Sequence, residues 1–232
     1  MRVVILILSK QDDILYSKLE SSIRSTWGNY LSDNIDIFYY YGSSDEFKVV
    51  DDKIYSKHTD SIINIGYKTI DAFEYLYNNI EFNYLYRTNS SSYINIKKMM
   101  DFIREKPLTN FYSARVNIEN KSGVKFGSGS GYFISKDIVK FVIENKIKWN
   151  HNLIDDVALG SLLLNNGFNL TPCSRLDIDD IKNDEIFYNS SIVDKSHLDL
   201  NFHFRCKSKD KNRETDVKIM RYLYDYFNSG IK

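Results

Sequence analysis

The sequence predicts an α/β fold in a single domain, a mixed sheet flanked by helices. Three observations point there. Strand-like and helix-like segments alternate from the first residue. The first strand is a continuous apolar run of the kind covered on both faces. The 232 residues contain neither low-complexity linkers nor internal repeats.

The elements follow in order. Arg2 to Leu8 is the first strand, apolar without alternation. Leu15, Leu19, Ile23 and Trp27 recur at steps of four and predict a helix; Trp27 continues that apolar stripe and is read as core. Ile35 to Tyr41 is the second strand, closed by Gly42 and Ser43. Ile70, Phe73, Leu76, Tyr77 and Ile80 form the apolar face of a second helix. Phe82 to Tyr86 is a strand that ends in the polar tract Arg87-Thr88-Asn89-Ser90-Ser91-Ser92. A helix near Ile96 to Arg104 comes next, then an alternating strand from Phe111 to Ile118. Gly127 to Gly131 reads as a turn-rich stretch leading into the strand Tyr132-Phe133-Ile134. Helices are expected near Asp137 to Glu144 and Asp156 to Asn165. Val217, Met220, Tyr224 and Phe227 mark a last one.

Composition narrows the class. With 43% hydrophobic and 27% charged residues the chain is globular. Lys+Arg and Asp+Glu both total 31, so global charge points to no nucleic-acid partner. The 18 Tyr read first as core and sheet surface, with sugar stacking as the alternative. Cys173 and Cys206 make no disulfide framework. Val3 to Leu8 is too short to span a membrane, and no signal-peptide pattern is recognised, so a reducing cytoplasm is the expected compartment. The bias toward Ile, Lys, Asn and Tyr, with only two Pro, fits an AT-rich genome.

Ligands of open α/β sheets bind beyond the carboxyl ends of strands. Ser9 and Lys10 lie at one such end, and the tract after Tyr86 lies at another.

Five segments carry a more specific pattern: Ile23-Arg24-Ser25-Thr26-Trp27-Gly28, Asp60 to Thr69 (DSIINIGYKT), Gly129 to Ser135 (GSGYFIS), Asp155-Asp156-Val157-Ala158-Leu159-Gly160, and Phe202-His203-Phe204-Arg205. In this order they resemble the β3-galactosyltransferase and Fringe group of GT-A glycosyltransferases, and they cover nearly the whole chain. The resemblance implies the GT-A fold, the Rossmann-like fold of nucleotide-diphospho-sugar transferases. It implies a nucleotide-sugar half at about residues 1–95 and an acceptor half at about 96–232. The implied reaction is an inverting transfer from a nucleotide-sugar, by family default a UDP-sugar, to a glycan or other hydroxyl acceptor.

Such a transfer needs a general base for the acceptor hydroxyl and stabilisation of the departing diphosphate. Asp156 matches the family's base position and Asp155 is its alternate; both equally suit a helix N-terminus, where a carboxylate complements the dipole. Arg24, Asp60 and Lys68 match positions facing the donor. For Arg24 the competing reading is a surface salt bridge, and for Lys68 a solvated helix position. Gly129, Ser130 and Gly131 match the acceptor segment, where the glycines equally suit a tight turn.

The pattern breaks at one place. The family signature K-x-D-D-D-x-x-x-N falls on Arg87-Thr88-Asn89-Ser90-Ser91-Ser92-Tyr93-Ile94-Asn95. The frame is kept and every acid is gone. Hard divalent cations want anionic oxygens, so a catalytic metal such as manganese is disfavoured and no cofactor is expected. Two readings follow. In the first, cations hold the diphosphate: His203, Arg205 and Lys207 begin a basic run that continues through Lys209, Lys211 and Arg213, while Arg87, Asn89, Ser90 and Ser91 contact the donor. In the second, catalysis is lost and the chain binds a sugar nucleotide or glycan. A charge run of this kind is otherwise a solvated loop.

Overall fold

The computed structural model describes residues 1–30, 32–120 and 123–228. The chain forms two compact units, which it visits in turn. The first comprises Met1–Gln11, Ser32–Asn89 and Lys106–Cys173; the second comprises Asp12–Leu31, Ser90–Glu105 and Ser174–Lys232.

In chain order, β1 (Val3–Leu8) leads to α1 (Ile14–Arg24), β2 (Ile35–Tyr41), β3 (Lys48–Val50) and β4 (Lys53–Tyr55). Next come α2 (Ile65–Asn79), β5 (Tyr84–Asn89), β6 (Ser92–Ile94), α3 (Ile96–Ile103), β7 (Tyr112–Ile118) and β8 (Lys125–Ser135). They are followed by α4 (Lys136–Glu144), α5 (Asp155–Leu164), β9 (Leu170–Pro172), β10 (Leu176–Ile178) and β11 (Asp180–Lys182). The chain closes with β12 (Glu185–Tyr188), β13 (Ser191–Ile192), α6 (Ser196–Leu200), β14 (His203–Cys206) and α7 (Glu214–Asn228).

The first unit is built on an eight-stranded mixed sheet in the order β3-β4-β2-β1-β5-β8-β7-β9. β1 lies parallel between β2 and β5, with Val3 opposite both Ile35 and Tyr84. β8 runs antiparallel to β5 and β7. Val3 to Ile7 are fully buried, as an apolar run without alternation requires. Val4, Leu6, Phe38, Leu85 and Ile134 share a core with Phe73 and Leu76 of α2, Val139 of α4 and Leu159 of α5. Each such side chain contributes roughly 1.5–3 kcal/mol by leaving water.

The second unit holds two three-stranded sheets, β10-β14-β6 and β11-β12-β13, together with α1, α3, α6 and α7. Asp13 caps α1 by accepting from the Leu15 and Tyr16 N–H groups. Asn95, which closes the altered signature, caps α3 through the Lys98 N–H at 3.1 Å.

Two expectations are corrected. The stretch from Gly127 to Gly131 is not a turn; it is the middle of β8. Its glycines answer close packing: a Cβ on Gly127 would stand 2.6 Å from Ala114 Cβ, and one on Gly129 would stand 2.9 Å from both an Arg87 nitrogen and Asp156 Oδ2. The third expected strand does not stop at Tyr86 but runs through Arg87, Thr88 and Asn89. Their polarity reads as loop, yet Arg87 and Thr88 are buried with partners inside the fold.

Candidate functional site

The site in the first unit grows from the carboxyl ends of β1, β2 and β5. Beyond β1 and β2, Asp60 gathers three donors. Its Oδ1 accepts from the Gly42 N–H at 2.8 Å and its Oδ2 from the Gln11 N–H at 2.9 Å. Lys68 Nζ forms an ion pair with Oδ1 and also donates to the Ser9 carbonyl at 3.3 Å. Lys68 is buried on α2, so the solvated alternative for it falls. Burial pushes its pKa down and Asp60 counters in part. The Ser9 hydroxyl is buried without a hydrogen-bond partner among the described residues. Lys10 follows it, half-buried.

Beyond β5 lies a second network. Arg87, fully enclosed, donates from one terminal nitrogen to Asp155 Oδ2 at 2.8 Å, from Nε to the Tyr40 hydroxyl at 2.9 Å, and from the other terminal nitrogen to the Gly129 carbonyl. Burial opposes its charge, but Asp155 prevails and lifts the guanidinium above its ordinary range. The same Gly129 peptide donates its N–H to Asp156 Oδ2 at 2.7 Å. Asp156 Oδ1 accepts from the Val157 N–H at 3.0 Å.

The two adjacent acids therefore differ in what they can do. Asp155 is buried and committed to Arg87. Asp156 is half-buried, makes no ion pair among the described residues, and is held by two backbone N–H groups. Burial first, and then the charge of Asp155, push its pKa up. A positioned carboxylate with a raised pKa is suited to taking a proton near neutrality. Neither acid is the helix cap, which is the backbone of Ile154. Ser130 and Gly131 continue along β8 beside β5: the Thr88 hydroxyl donates to the Ser130 carbonyl at 2.7 Å, and Gly131 is opposite Thr88. Asn89 ends β5, half-buried.

The remaining expected residues lie in the second unit. Arg24 is exposed on α1 and pairs with Glu20 at 3.0 Å, the surface salt bridge that was its alternative reading. Trp27 is buried, as expected of core, and its indole N–H donates to the Ser92 carbonyl at 2.9 Å. Ser90 and Ser91 are buried, and the Ser91 carbonyl accepts from the Cys206 N–H at 2.7 Å. His203 is buried in β14 with Nε2 3.0 Å from Ser92 Oγ. Burial, then Arg175 and Arg205, push its pKa well down, so it is neutral. Arg205 is half-buried and Lys207 is exposed.

Tyr40, Arg175 and Asp177 went unmarked in the sequence. Tyr40 holds Arg87 and also meets Thr69 Oγ1 at 3.1 Å. Arg175 grips Asp177 through two nitrogens, at 2.6 and 3.1 Å. The only available signal for that pair was an Arg and an Asp two apart, which a strand places on one face. Residues 87–95 do not fit a divalent cation: Asn89, Ser90 and Ser91 bring neutral oxygens. Among the described residues, no three His, Cys, Asp or Glu side chains converge as metal ligands.

With this geometry in hand, solved structures supply the comparison. A glycosyltransferase involved in glycosylation of the major capsid of PBCV-1 superposes with a TM-score of 0.55, covering 95% of this chain and 99% of that one at 11% identity. The apo form of the glycosyltransferase GlyE of Streptococcus pneumoniae TIGR4 superposes at 0.50, covering 100% of this chain and 64% of that one, also at 11% identity. The fold is GT-A. No protein-family model matches the chain. Among curated sequences it is similar to human UDP-GalNAc:beta-1,3-N-acetylgalactosaminyltransferase 2, with 28% identity over 133 residues. That match takes in 50% of this chain and 27% of the human protein, so the chain spans about a quarter of that relative's length. No helix among the described residues is long and apolar enough to cross a membrane.

Proposed function

We propose that this GT-A chain is a glycosyltransferase that moves a hexosyl group from a nucleotide-sugar, a UDP-sugar by the resemblance, to a hydroxyl of a glycan or other acceptor. The observation that carries the reading is the division of labour at the start of α5. Asp155 is neutralised by Arg87, and Asp156 is left half-buried, held by Gly129 and Val157, with a raised pKa. In an inverting transfer, Asp156 takes the acceptor proton as the oxygen attacks the anomeric carbon and the nucleoside diphosphate departs from the opposite face. Ser9, Asp60 and Lys68, at the ends of β1 and β2, are the proposed donor contacts of the first unit. The Ser9 hydroxyl is buried and has no hydrogen-bond partner among the described residues. Gly129, Ser130 and Gly131 are the proposed acceptor contacts, adjoining Asp156 through the Gly129 N–H. We propose no metal in the reaction, because the tract from Asn89 to Ser91 offers no carboxylate.

The test is transfer or donor hydrolysis across a panel of sugar nucleotides, in chelator and with added manganese. Turnover in chelator is expected. Asp156→Asn should lower it on the order of 10²–10⁴-fold with donor affinity unchanged. Strict dependence on manganese would remove the metal-free part. The lost acids favour one competing reading, a non-catalytic sugar-nucleotide or glycan binder. Binding without turnover across the whole panel would establish it.

A further inference from the structure

A cleft of about 460 Å³ opens within the second unit, between the segment that follows α1, the junction of β6 with α3 and the last turns of α7. Its floor is apolar: Trp27, Tyr93, Ile94 and Ile96 line it and are buried. Tyr30, Tyr224 and Phe227 add aromatic walls. Trp27 and Asn95, which also borders the cleft, belong to the segments that carry the family resemblance, and the proposed transfer uses neither.

The rim carries hydrogen-bonding groups that the fold leaves unused. Asn29 is exposed and makes no side-chain hydrogen bond among the described residues. Asn95 spends its oxygen on the α3 cap, and its amide nitrogen donates to no described group. Asn228 donates to the Tyr224 carbonyl at 2.7 Å and keeps its oxygen. The Tyr30 ring is 47% exposed and meets no other ring or cation among the described residues. The Trp27 indole N–H is already given to the Ser92 carbonyl, so the floor offers apolar surface alone. Among the described residues no carboxylate lines the cleft, and Lys97 is its single charged side chain.

We propose that this cleft binds a neutral sugar unit of a glycan, its ring against Tyr30 and its hydroxyls on Asn29, Asn95 and Asn228. A sugar ring combines a C–H face with hydroxyls that both donate and accept. An aromatic face carries negative charge density that C–H groups complement, and an amide supplies a donor and an acceptor together. A purely apolar ligand would cover the three amides and leave them unpaired. A cation would find no carboxylate. The volume falls in the range of small-ligand pockets, roughly 300–1,000 Å³. The cleft shares no lining residue with the network of Asp155 and Asp156 or with Asp60 and Lys68, so it is a second glycan contact and not the acceptor segment at Gly129 to Gly131. It rests on the transferase reading only for why a glycan would be present.

The experiment is an NMR titration of the full, isotope-labelled chain with a panel of neutral saccharides, chitotriose, maltotriose and N-acetyllactosamine among them, and with hexanol as an apolar probe. At least one saccharide should shift the Trp27 indole signal and the side-chain amide signals of Asn29 and Asn95 saturably, and hexanol should bind far less tightly. Tyr30→Ala should weaken that saccharide about two- to tenfold, and Asn29→Ala by about as much. Both positions are exposed, so the melting temperatures of these variants should match wild type and loss of binding cannot be loss of fold. Unmoved signals with every saccharide would overturn the proposal, as would a Tyr30→Ala variant that binds like wild type, or hexanol binding more tightly than any saccharide. Saccharide shifts at Trp27 without turnover across the donor panel would sustain the cleft and defeat the transferase reading. Turnover with those signals unmoved would do the reverse.

Discussion

Asp155 and Asp156 are chemically identical neighbours whose surroundings separate them. Arg87 keeps the first in an ion pair, while burial and then the charge of the first push the pKa of the second up. A raised carboxyl pKa means the folded chain holds that proton more tightly than the unfolded chain does. The associated stability is present below the unfolded value and is lost as pH rises through the folded one. Asp156→Asn should therefore melt higher than wild type at neutral pH, and the gap should close below the ordinary carboxylate range. Thermal unfolding from pH 4 to 8 measures it, and a gap independent of pH would contradict the assignment. Over the same range, wild-type kcat/KM should fall on the acid side, with a midpoint above that of an ordinary aspartate.

Between elements, Arg87 ties β5 to α5 and to β8, since it meets Asp155 and the Gly129 carbonyl together. Removing one partner of such a pair strands a buried charge. Arg87→Leu should cost about 3–5 kcal/mol in a denaturant titration, and Arg87→Leu with Asp155→Leu should recover much of it. Additive losses would mean the two charges are not coupled. α2 packs closely on the indole of Trp149: a Cβ on Gly66 would come within 2.6 Å of Trp149 Nε1. The small residue accommodates the indole.

For the molecule as a whole, equal numbers of acids and bases set colloidal behaviour more than fold. Solubility should pass through a minimum near neutral pH and rise on either side, which light scattering against pH would register; a minimum displaced by several units would show that burial has altered the charge balance. The cations of β14 and the loop after it form a local excess rather than a basic stripe along the chain.

The sequence by itself determined the order of the longer strands and helices and put Asp156 at the start of a helix; the short strands β3, β4, β6 and β9 to β13, and α6, went unread. Apolar periodicity is a local property, and the motif keeps its spacing wherever the fold puts it. β1, β2, α2 and α5 were legible for that reason. Only the tertiary structure decided what the polar residues do. Arg87 and Thr88 read as loop because their polarity was visible and their partners, 42 to 68 positions away, were not. The glycines of β8 read as a turn because composition does not reveal that Ala114, Arg87 and Asp156 crowd them. The division between Asp155 and Asp156 depends on neighbours brought together from distant parts of the chain. Electrostatic roles are fixed by distance and burial, and neither is written in the order of residues.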